Sequence, residues 1–455
     1  MNALFARHAL LPGGWQRDVL LEWDAHGDLT RVAAHAKPPL NVARADYVVP
    51  GMVNLHSHAF QRALGGLTER AGDNPDSFWT WRDLMYRFAA RITPEQIEAI
   101  AAQLFAECLR HGYTSVCEFH YLQRDLDGST YARPAETAER VAAAAQAAGM
   151  GLTLLPVLYS HAGFGAQALT PAQARFRTDV DEVLGIVGAL ESLRGGQLEV
   201  GAAPHSLRAA GIDQIQALLE GMPATRPLHI HIAEQQAEVA QCLASVGARP
   251  VAYLMDRVAI DARWCLVHAT HLDGIEISAL AHSSAVAGLC PTTEANLGDG
   301  LFPFEAYSAA GGRFGIGSDS HVSQSPVEEL RWLEYGQRLQ HRRRNIAATQ
   351  EQRNVADYLW QAALRGGAQA AGRRVGALES GKRADLLVLD GSHPNLDGVA
   401  DAEILGRLVF CGNDNLVRDV LCGGRWVVQG GRHMAQDTLA QRYRQAIRQL
   451  REVSQ

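Results

Sequence analysis

The first fifty residues alternate short apolar runs with turn signals, a pattern typical of β-hairpins. The apolar runs Val19–Trp23 and Leu29–Ala33 flank the polar segment Asp24–Asp28, and Gly13-Gly14 marks an earlier turn. This pattern predicts that the chain begins with a small β-structure.

From about residue 50 the pattern changes to a repeated unit of one helix followed by one buried strand. Thr93-Pro-Glu-Gln96 predicts a helix start, Gly112 predicts its end, and Thr114–Phe119 predicts the strand that follows. The same unit recurs along the chain. The eight predicted strands are Tyr47–Leu55, Thr114–Phe119, Leu152–Tyr159, Leu198–Ala203, Leu228–Ala233, Trp264–His268, Ala285–Leu289 and Arg313–Gly317.

Strands that alternate with helices over this length indicate a parallel sheet, and eight units favour a closed, TIM-like (β/α)8 barrel of the α/β class. Short strands return after residue 375, at Ala384–Leu389, Val417–Cys422 and Arg425–Val428, and Leu439–Val453 predicts a terminal helix. We therefore expect a catalytic barrel over residues 49–371. Residues 1–48 and 372–455 would together form a small β-sandwich domain.

Composition and charge indicate which binding partners and which cellular compartment to expect. The 42 Lys and Arg residues against 49 Asp and Glu residues leave a formal charge of −7, without a basic block. This balance argues against nucleic acid or an anionic membrane as a partner. The seven cysteines are scattered in mostly apolar runs and form no C-x-x-C pair, as expected for free thiols in a reducing compartment. No signal-type segment or long apolar run is present, so we expect a cytoplasmic protein.

Lysine is almost absent, and this restricts the possible chemistry. Only Lys37 and Lys382 are lysines, while 40 residues are arginine. Codon bias is the simplest origin of this ratio. Its consequence is that almost no lysine remains to serve as a Schiff base, a phosphate ligand or a metal bridge.

Titratable side chains follow four of the predicted strands. His56 and His58 end the first strand and share one face, because residues i and i+2 of a strand point to the same side. His231 lies in the fifth strand, His268 ends the sixth, and Asp319 follows the eighth. A barrel interior favours Val, Ile and Leu, so core packing does not explain these groups. Three imidazoles and one carboxylate at an apolar rim suit Zn²⁺ or Fe²⁺, with one position left for water.

Five motifs together resemble the amidohydrolase superfamily, and the best fit is its branch of cytosine and guanine deaminases and triazine hydrolases. The motifs are P-G-M-V-N-L-H-S-H (50–58), P-H-S (204–206), H-I-A-E (231–234), V-H-A-T-H (267–271) and G-S-D-S-H (317–321). The resemblance implies the metal ligands His56, His58, His231 and Asp319. His229 shares a face with His231 but lies one layer deeper, and we interpret it as a core histidine.

The resemblance also implies a mononuclear site and a hydrolytic mechanism. Many amidohydrolases bridge two metals with a carboxylated lysine after the fourth strand, where this chain has Ala202–Ser206, so we expect one divalent ion. Asp319 would take a proton from water, Glu234 would protonate the leaving nitrogen, and His268 would orient the nucleophile or stabilise developing charge.

A second set of motifs resembles the N-formimino-L-glutamate deiminase family of bacterial histidine degradation. The set is His56–Arg62, Trp79–Arg82, Glu118–Tyr121 and Cys290–Asp299. That family hydrolyses formiminoglutamate to N-formylglutamate and ammonia, and homodimers are expected from it. The resemblance implies that a small dicarboxylate substrate is bound by Gln61, Arg82, Tyr121, His205 and Arg208. Arginine suits this task because its planar fork donates two parallel hydrogen bonds to a carboxylate.

We expect Arg82 and Arg208 on the loops that follow the first and fourth strands. Three other functions compete with this interpretation. A deaminase or chlorohydrolase of the same branch would act on guanine, cytosine or a triazine, which carry no carboxylate. An imidazolone ring hydrolase would open a lactam without releasing ammonia. A non-catalytic scaffold would have lost metal ligands, and all four are present.

Overall fold

A computed structural model describes residues 2–69 and 78–452. Its strands are numbered in chain order and fall into one terminal sheet and two central sheets. They are β1 (Asn2–Leu11), β2 (Gly14–Trp23), β3 (Leu29–Ala33), β4 (Ala43–Pro50), β5 (Met52–Ser57), β6 (Tyr113–His120), β7 (Gly151–Leu158), β8 (Leu198–Val200), β9 (Ala203–Pro204), β10 (Leu228–Ile232), β11 (Trp264–His268), β12 (Val286–Leu289), β13 (Arg313–Ile316), β14 (Leu386–Leu389), β15 (Val417–Cys422), β16 (Arg425–Gln429) and β17 (Arg432–His433).

Most helices lie between the strands of the central sheets, as the repeated helix and strand unit predicts. They are α1 (Phe78–Ala89), α2 (Pro94–His111), α3 (Glu136–Ala148), α4 (Val180–Leu190), α5 (Ile212–Gly221), α6 (Gln236–Val246), α7 (Pro250–Arg257), α8 (Gly274–His282), α9 (Pro291–Leu297), α10 (Phe304–Ala309), α11 (Pro326–His341), α12 (Val355–Ala371), α13 (Ile404–Phe410) and α14 (Gln436–Glu452). Short 3-10 helices cover Ala59–Leu64, Pro171–Phe176, Glu191–Leu193 and Asp401–Glu403.

The two ends of the chain form one eight-stranded sheet in the order β17-β16-β15-β14-β4-β1-β2-β3. The N-terminal and C-terminal parts meet where β4 pairs antiparallel with β14, with Val49 opposite Leu387. Leu4, Leu21 and Leu386 belong to a separate buried core of this sheet. The terminal segments therefore form one sheet with its own apolar interior.

The central strands are parallel and form an α/β barrel. One sheet has the order β5-β6-β7-β8, with β9 paired to β7, and the other has the order β10-β11-β12-β13. The sheets meet at both edges. The amide of His229 donates to the Ala202 carbonyl at 3.2 Å, and the amide of Asp319 donates to the His56 carbonyl at 2.9 Å. These contacts close the ring, which confirms the predicted TIM-like fold class.

Local chemistry explains where α2 begins and ends. Thr93 caps the helix in a capping box with Gln96, and Pro94 occupies the first helical turn. Gly112 follows the helix in the left-handed conformation, with φ of 106°, which a glycine adopts without steric cost. The predicted start and end of this helix are therefore confirmed.

Two strand predictions were wrong in detail. The predicted first strand, Tyr47–Leu55, consists of two strands, because the chain leaves the terminal sheet after Pro50 and enters the barrel at Met52. The apolar run is buried in both sheets, so hydrophobicity does not reveal the change. Gly51 allows the crossing, because a Cβ there would overlap the Thr114 side chain. The predicted fourth strand, Leu198–Ala203, is interrupted after Val200.

The segment around Arg82 is also corrected. It forms helix α1, whereas a loop was expected. Phe78, Met85, Tyr86 and Ala89 are its buried residues, and their spacing places them along one helical face. The loop was expected from the position of the segment after the first strand, although its apolar residues follow a helical period. No helix in residues 2–69 and 78–452 combines the length and the apolarity needed to cross a membrane.

Helix α12 packs closely against the barrel through adjacent glycines, so a larger side chain there should destabilise the protein. A Cβ on Gly366 would overlap the carbonyl of Phe314 on β13, whereas Gly185 of α4 has open space around it. We expect Gly366→Ala to destabilise the protein by about 1–3 kcal/mol through overpacking. Gly185→Ala should be neutral or stabilising by up to about 1 kcal/mol, because alanine favours a helix. Thermal unfolding of both variants tests this, and equal melting temperatures would contradict it.

Candidate metal centre and substrate pocket

The four predicted metal ligands meet at the carboxyl ends of the barrel strands. Nε2 of His56 lies 3.2 Å from Nε2 of His58 and 3.0 Å from Nε2 of His231. Oδ1 of Asp319 lies 3.5 Å from Nε2 of His56 and 3.3 Å from Nε2 of His58. All four side chains are buried. The structure therefore brings together three imidazole nitrogens and one carboxylate oxygen that are far apart in sequence.

Backbone carbonyl groups orient two of the imidazoles. Nδ1 of His58 lies 2.9 Å from the carbonyl oxygen of Phe119, and Nδ1 of His231 lies 3.0 Å from that of His205. A carbonyl oxygen only accepts, so each Nδ1 carries the proton and each Nε2 directs a lone pair at the cluster. Nitrogen lone pairs and a carboxylate that converge in this way fit a divalent cation such as Zn²⁺ or Fe²⁺.

Glu234 and His268 lie beside the ligand cluster. Nε2 of His268 is 3.8 Å from Oε1 of Glu234 and 3.8 Å from Oδ2 of Asp319. The backbone is left-handed at Ala233, His268 and Asp319, with φ of 51°, 66° and 45°. Such conformations cost about 1–3 kcal/mol each and concentrate at functional sites. Each of these three residues lies at or shortly after the end of a barrel strand, beside the titratable groups of the site.

The same burial affects the two carboxyl groups differently. Burial raises the pKa of Glu234 to about 7, so its carboxyl group can both hold and release a proton near neutral pH. Burial also raises the pKa of Asp319, but a hydrogen bond from His56 and the charges of His56, His58 and His268 outweigh it and lower that pKa below its usual value. Asp319 is therefore a stable anion, as a metal ligand requires.

A cavity opens next to this cluster. All five predicted substrate-binding residues line it, together with Glu234, His268 and Asp319. Seven further side chains, which sequence reasoning did not single out, also line the cavity. They are Phe78, Trp81, Met85, Tyr86, Tyr159, Phe176 and Leu297. The cavity thus combines apolar walls with a few charged groups, as ligand sites usually do.

Two arginines supply positive charge to the cavity. The Nε atoms of Arg82 and Arg208 are buried and have no hydrogen-bond partner among the described residues. The guanidinium carbon of Arg82 lies 4.4 Å from the centroid of the Trp79 ring, within the range of a cation–π contact. Burial lowers the pKa of Arg208, but the charges of Glu238 and Glu234 outweigh it and raise that pKa. Arg208 is therefore charged, and both arginines have an Nε–H donor available.

The other three predicted substrate-binding residues are neutral hydrogen-bonding groups. Nε2 of Gln61 donates to the Tyr121 hydroxyl at 2.7 Å, while Oε1 of Gln61 is buried without a partner. Burial and the charge of Arg208 lower the pKa of His205 well below its usual value, so this imidazole is uncharged. These groups extend the polar wall between the ligand cluster and the arginines.

His229 lies outside the ligand cluster. Nε2 of His229 is 2.9 Å from the Ala370 carbonyl oxygen, which belongs to α12 below the site. Its side chain is fully buried. The structure therefore agrees with its interpretation as a core histidine.

Sequence reasoning missed Glu294, which contacts His268 on the side of the ring that faces away from the ligand cluster. Oε1 of Glu294 lies 3.4 Å from Nδ1 of His268. Glu294 belongs to the C-P-T-T-E-A-N segment that carried the second resemblance, but its place five residues after the end of a strand gave no functional signal. Ligand atoms of His268, Cys290 and Glu294 lie within 4.8 Å of one another.

Two protein families match the chain. A model of the amidohydrolase family matches residues 47–427, which cover more than half of the chain. A model of the N-terminal domain of the formimidoylglutamate deiminase HutF matches residues 1–39. The chain therefore belongs to the amidohydrolase family.

Comparison with individual relatives indicates the group of amidohydrolases to which the chain belongs. The chain is 53% identical to the formimidoylglutamate deiminase of Pseudomonas aeruginosa over 455 residues, which cover 99% of this chain and 100% of the relative. Within the amidohydrolases, the chain thus groups with the formimidoylglutamate deiminases. A crystal structure of an amidohydrolase from Brucella melitensis superposes with a TM-score of 0.94 at 44% identity and covers 99% of this chain and 100% of its own. A zinc-bound adenosine deaminase from Xanthomonas campestris shares the fold, with a TM-score of 0.79 at 23% identity and coverage of 99% and 98%.

The two histidines of β10 provide a matched test of the metal site. We expect His231→Ala to lower metal affinity more than about 100-fold, because it removes a ligand rather than a supporting contact. His229→Ala should retain the metal, because its imidazole contacts the Ala370 carbonyl instead of the cluster. Metal analysis of both purified variants measures this. Equal metal content in the two would remove His231 from the ligand set.

Proposed function

We propose that this chain hydrolyses N-formimino-L-glutamate to N-formyl-L-glutamate and ammonia in histidine degradation. The observation that carries the proposal is one cavity lined by two arginines with available donors, a carboxyl group with a pKa near neutrality and part of the ligand cluster. The full-length likeness to a formimidoylglutamate deiminase supports the same substrate.

The proposal includes one divalent ion per chain, Zn²⁺ with Fe²⁺ as the alternative. His56, His58, His231 and Asp319 would hold it. When bound, such an ion acts as a Lewis acid and lowers the pKa of a coordinated water. A single ion is supported by the positions of the two lysines. Lys37 follows β3, and the Lys382 carbonyl accepts a hydrogen bond from Leu29, so both lie with the terminal sheet.

The side chains around the cavity can move the protons that the reaction requires. Water adds to the formimino carbon, the bond from that carbon to its terminal nitrogen breaks, and the nitrogen leaves as ammonia. Asp319 is the anion that accepts the proton of water, and Glu234 can deliver a proton to the leaving nitrogen because its pKa is about 7. His268 lies within 3.8 Å of both carboxylates and can stabilise the charge that develops between them.

The charges in the cavity select the substrate class. Arg82 and Arg208 match the two carboxylates of the substrate, while Gln61, Tyr121 and His205 contribute neutral hydrogen-bonding groups. Guanine, cytosine and triazines offer no carboxylate to the unpaired Nε–H donors of the two arginines. Unpaired buried donors weaken binding strongly, so these heterocycles are disfavoured.

The proposal extends to compartment, assembly and domain division. All seven cysteines are free, which supports a reducing compartment such as the cytoplasm. The homodimer rests on the family alone, and sedimentation analysis tests it. We retain the division into a barrel at 49–371 and a small β-domain at 1–48 and 372–455, supported by the pairing of β4 with β14.

An ammonia assay tests the function directly. We expect the metal-loaded protein to release ammonia from N-formimino-L-glutamate with one equivalent of N-formyl-L-glutamate, and not from guanine or cytosine. Ammonia from a heterocycle alone would refute the substrate. Ring opening of an imidazolone without ammonia would identify the competing ring hydrolase.

Substitution of the arginines tests the substrate contacts. We expect Arg208→Met to lower kcat/KM about 30–1000-fold, because a charge-assisted pair is worth about 2–4 kcal/mol, while metal content stays unchanged. Arg82→Met should act in the same direction. Its matched control is Arg87→Met, because Arg87 is exposed on the same helix and does not line the cavity. An unchanged kcat/KM in Arg208→Met would contradict the assigned role.

A further inference from the structure

Glu294 lies on the side of His268 that faces away from the ligand cluster. It belongs to α9, immediately after β12, and its side chain is buried. Its Oε1 atom is 3.4 Å from Nδ1 of His268 and also accepts a hydrogen bond from the amide of Cys290 at 2.9 Å. The same oxygen therefore acts as an acceptor, and Nδ1 of His268 is the donor of the second contact.

The two ring nitrogens of His268 face different partners. Nδ1 faces Glu294, whereas Nε2 faces Glu234 and Asp319 at 3.8 Å each, beyond hydrogen-bond distance. The contact with Glu294 is thus the shortest polar contact of this ring that the structure shows. The backbone is left-handed at His268 and Ala269, with φ of 66° and 47°.

We propose that Glu294 is a positioning residue that holds Nδ1–H of His268 and thereby keeps Nε2 directed at the reacting groups. This inference rests on the proposed deiminase function. A histidine that orients or stabilises a reacting group depends on the partner of its other nitrogen, which sets both the tautomer and the ring orientation.

Glu329, which contacts the beginning of helix α9, supplies a matched control for Glu294. Glu329 accepts hydrogen bonds from the Thr292 amide at 2.9 Å and the Thr292 hydroxyl at 2.6 Å, so it anchors the beginning of the same short helix. Glu329 is fully buried, as Glu294 nearly is, but its recorded hydrogen bonds are to Thr292 and not to His268. Loss of Glu329 therefore reports what a looser α9 does without changing the contact with the imidazole.

A double-mutant cycle tests the inference. We expect Glu294→Ala to lower kcat about 10–100-fold, with KM and metal content nearly unchanged. In a His268→Ala background the same substitution should have almost no further effect, because Glu294 acts through the imidazole. Glu294→Gln retains an acceptor oxygen and should recover part of the activity.

Three kinetic outcomes would overturn the inference. They are additive losses in the double variant, a rise in KM in place of a fall in kcat, and an equal loss of kcat in Glu329→Ala. Loss of a second equivalent of metal in Glu294→Ala would also overturn it, because it would make His268, Cys290 and Glu294 a metal site of their own.

A spectroscopic measurement separates this inference from the function on which it rests. A downfield Nδ1–H proton resonance, lost in His268→Ala and also in Glu294→Ala, would support the contact without any turnover. Its persistence in Glu294→Ala would refute the contact. Absence of ammonia release by the unaltered protein would refute the deiminase function, and the resonance would still decide the role of Glu294.

Discussion

The closure of the barrel between its first and last strands is the contact on which the site depends. At this seam the amide of Asp319 donates to the His56 carbonyl at 2.9 Å, and the amide of His58 donates to the Asp319 carbonyl at 3.2 Å. The backbone hydrogen bonds that complete the ring therefore also bring two imidazoles against the carboxylate. A divalent ion held by these side chains would stabilise the seam, so metal binding and barrel closure reinforce each other.

The site buries several charged groups, and each of them needs a compensating partner in the interior of the barrel. Asp319 and Glu234 lie among imidazoles, and Arg208 is kept charged by Glu238 and Glu234. Buried donors without partners cost free energy in the folded chain. In the proposed function a dicarboxylate substrate supplies the missing acceptors, so the unpaired donors of the free protein favour substrate binding.

The wall of the cavity that carries Arg82 is attached to the barrel through a neighbouring segment. Arg175, in the 3-10 helix after β7, donates to the Ile92 carbonyl at 2.8 Å just beyond α1, and also to the Ala89 carbonyl at the end of that helix. Its Nε atom donates to the Arg124 carbonyl at 3.0 Å. The segments that follow three successive strands thus hold one another in place, and α1 presents its aromatic residues and Arg82 to the cavity.

Local patterns in the sequence determined the helix and strand order, the capping of α2 and the polar residues at the strand ends, because these depend on neighbours within a few residues. The strand-end histidines and Asp319 could be recognised, since polar groups there conflict with an apolar barrel. The apolar residues of α1 follow a helical period, so this helix was readable in the sequence although a loop was expected. Only the tertiary structure decided that the run around Gly51 changes sheet and that Glu294 contacts His268. Each of these depends on packing between distant segments, which periodicity in one sequence does not encode.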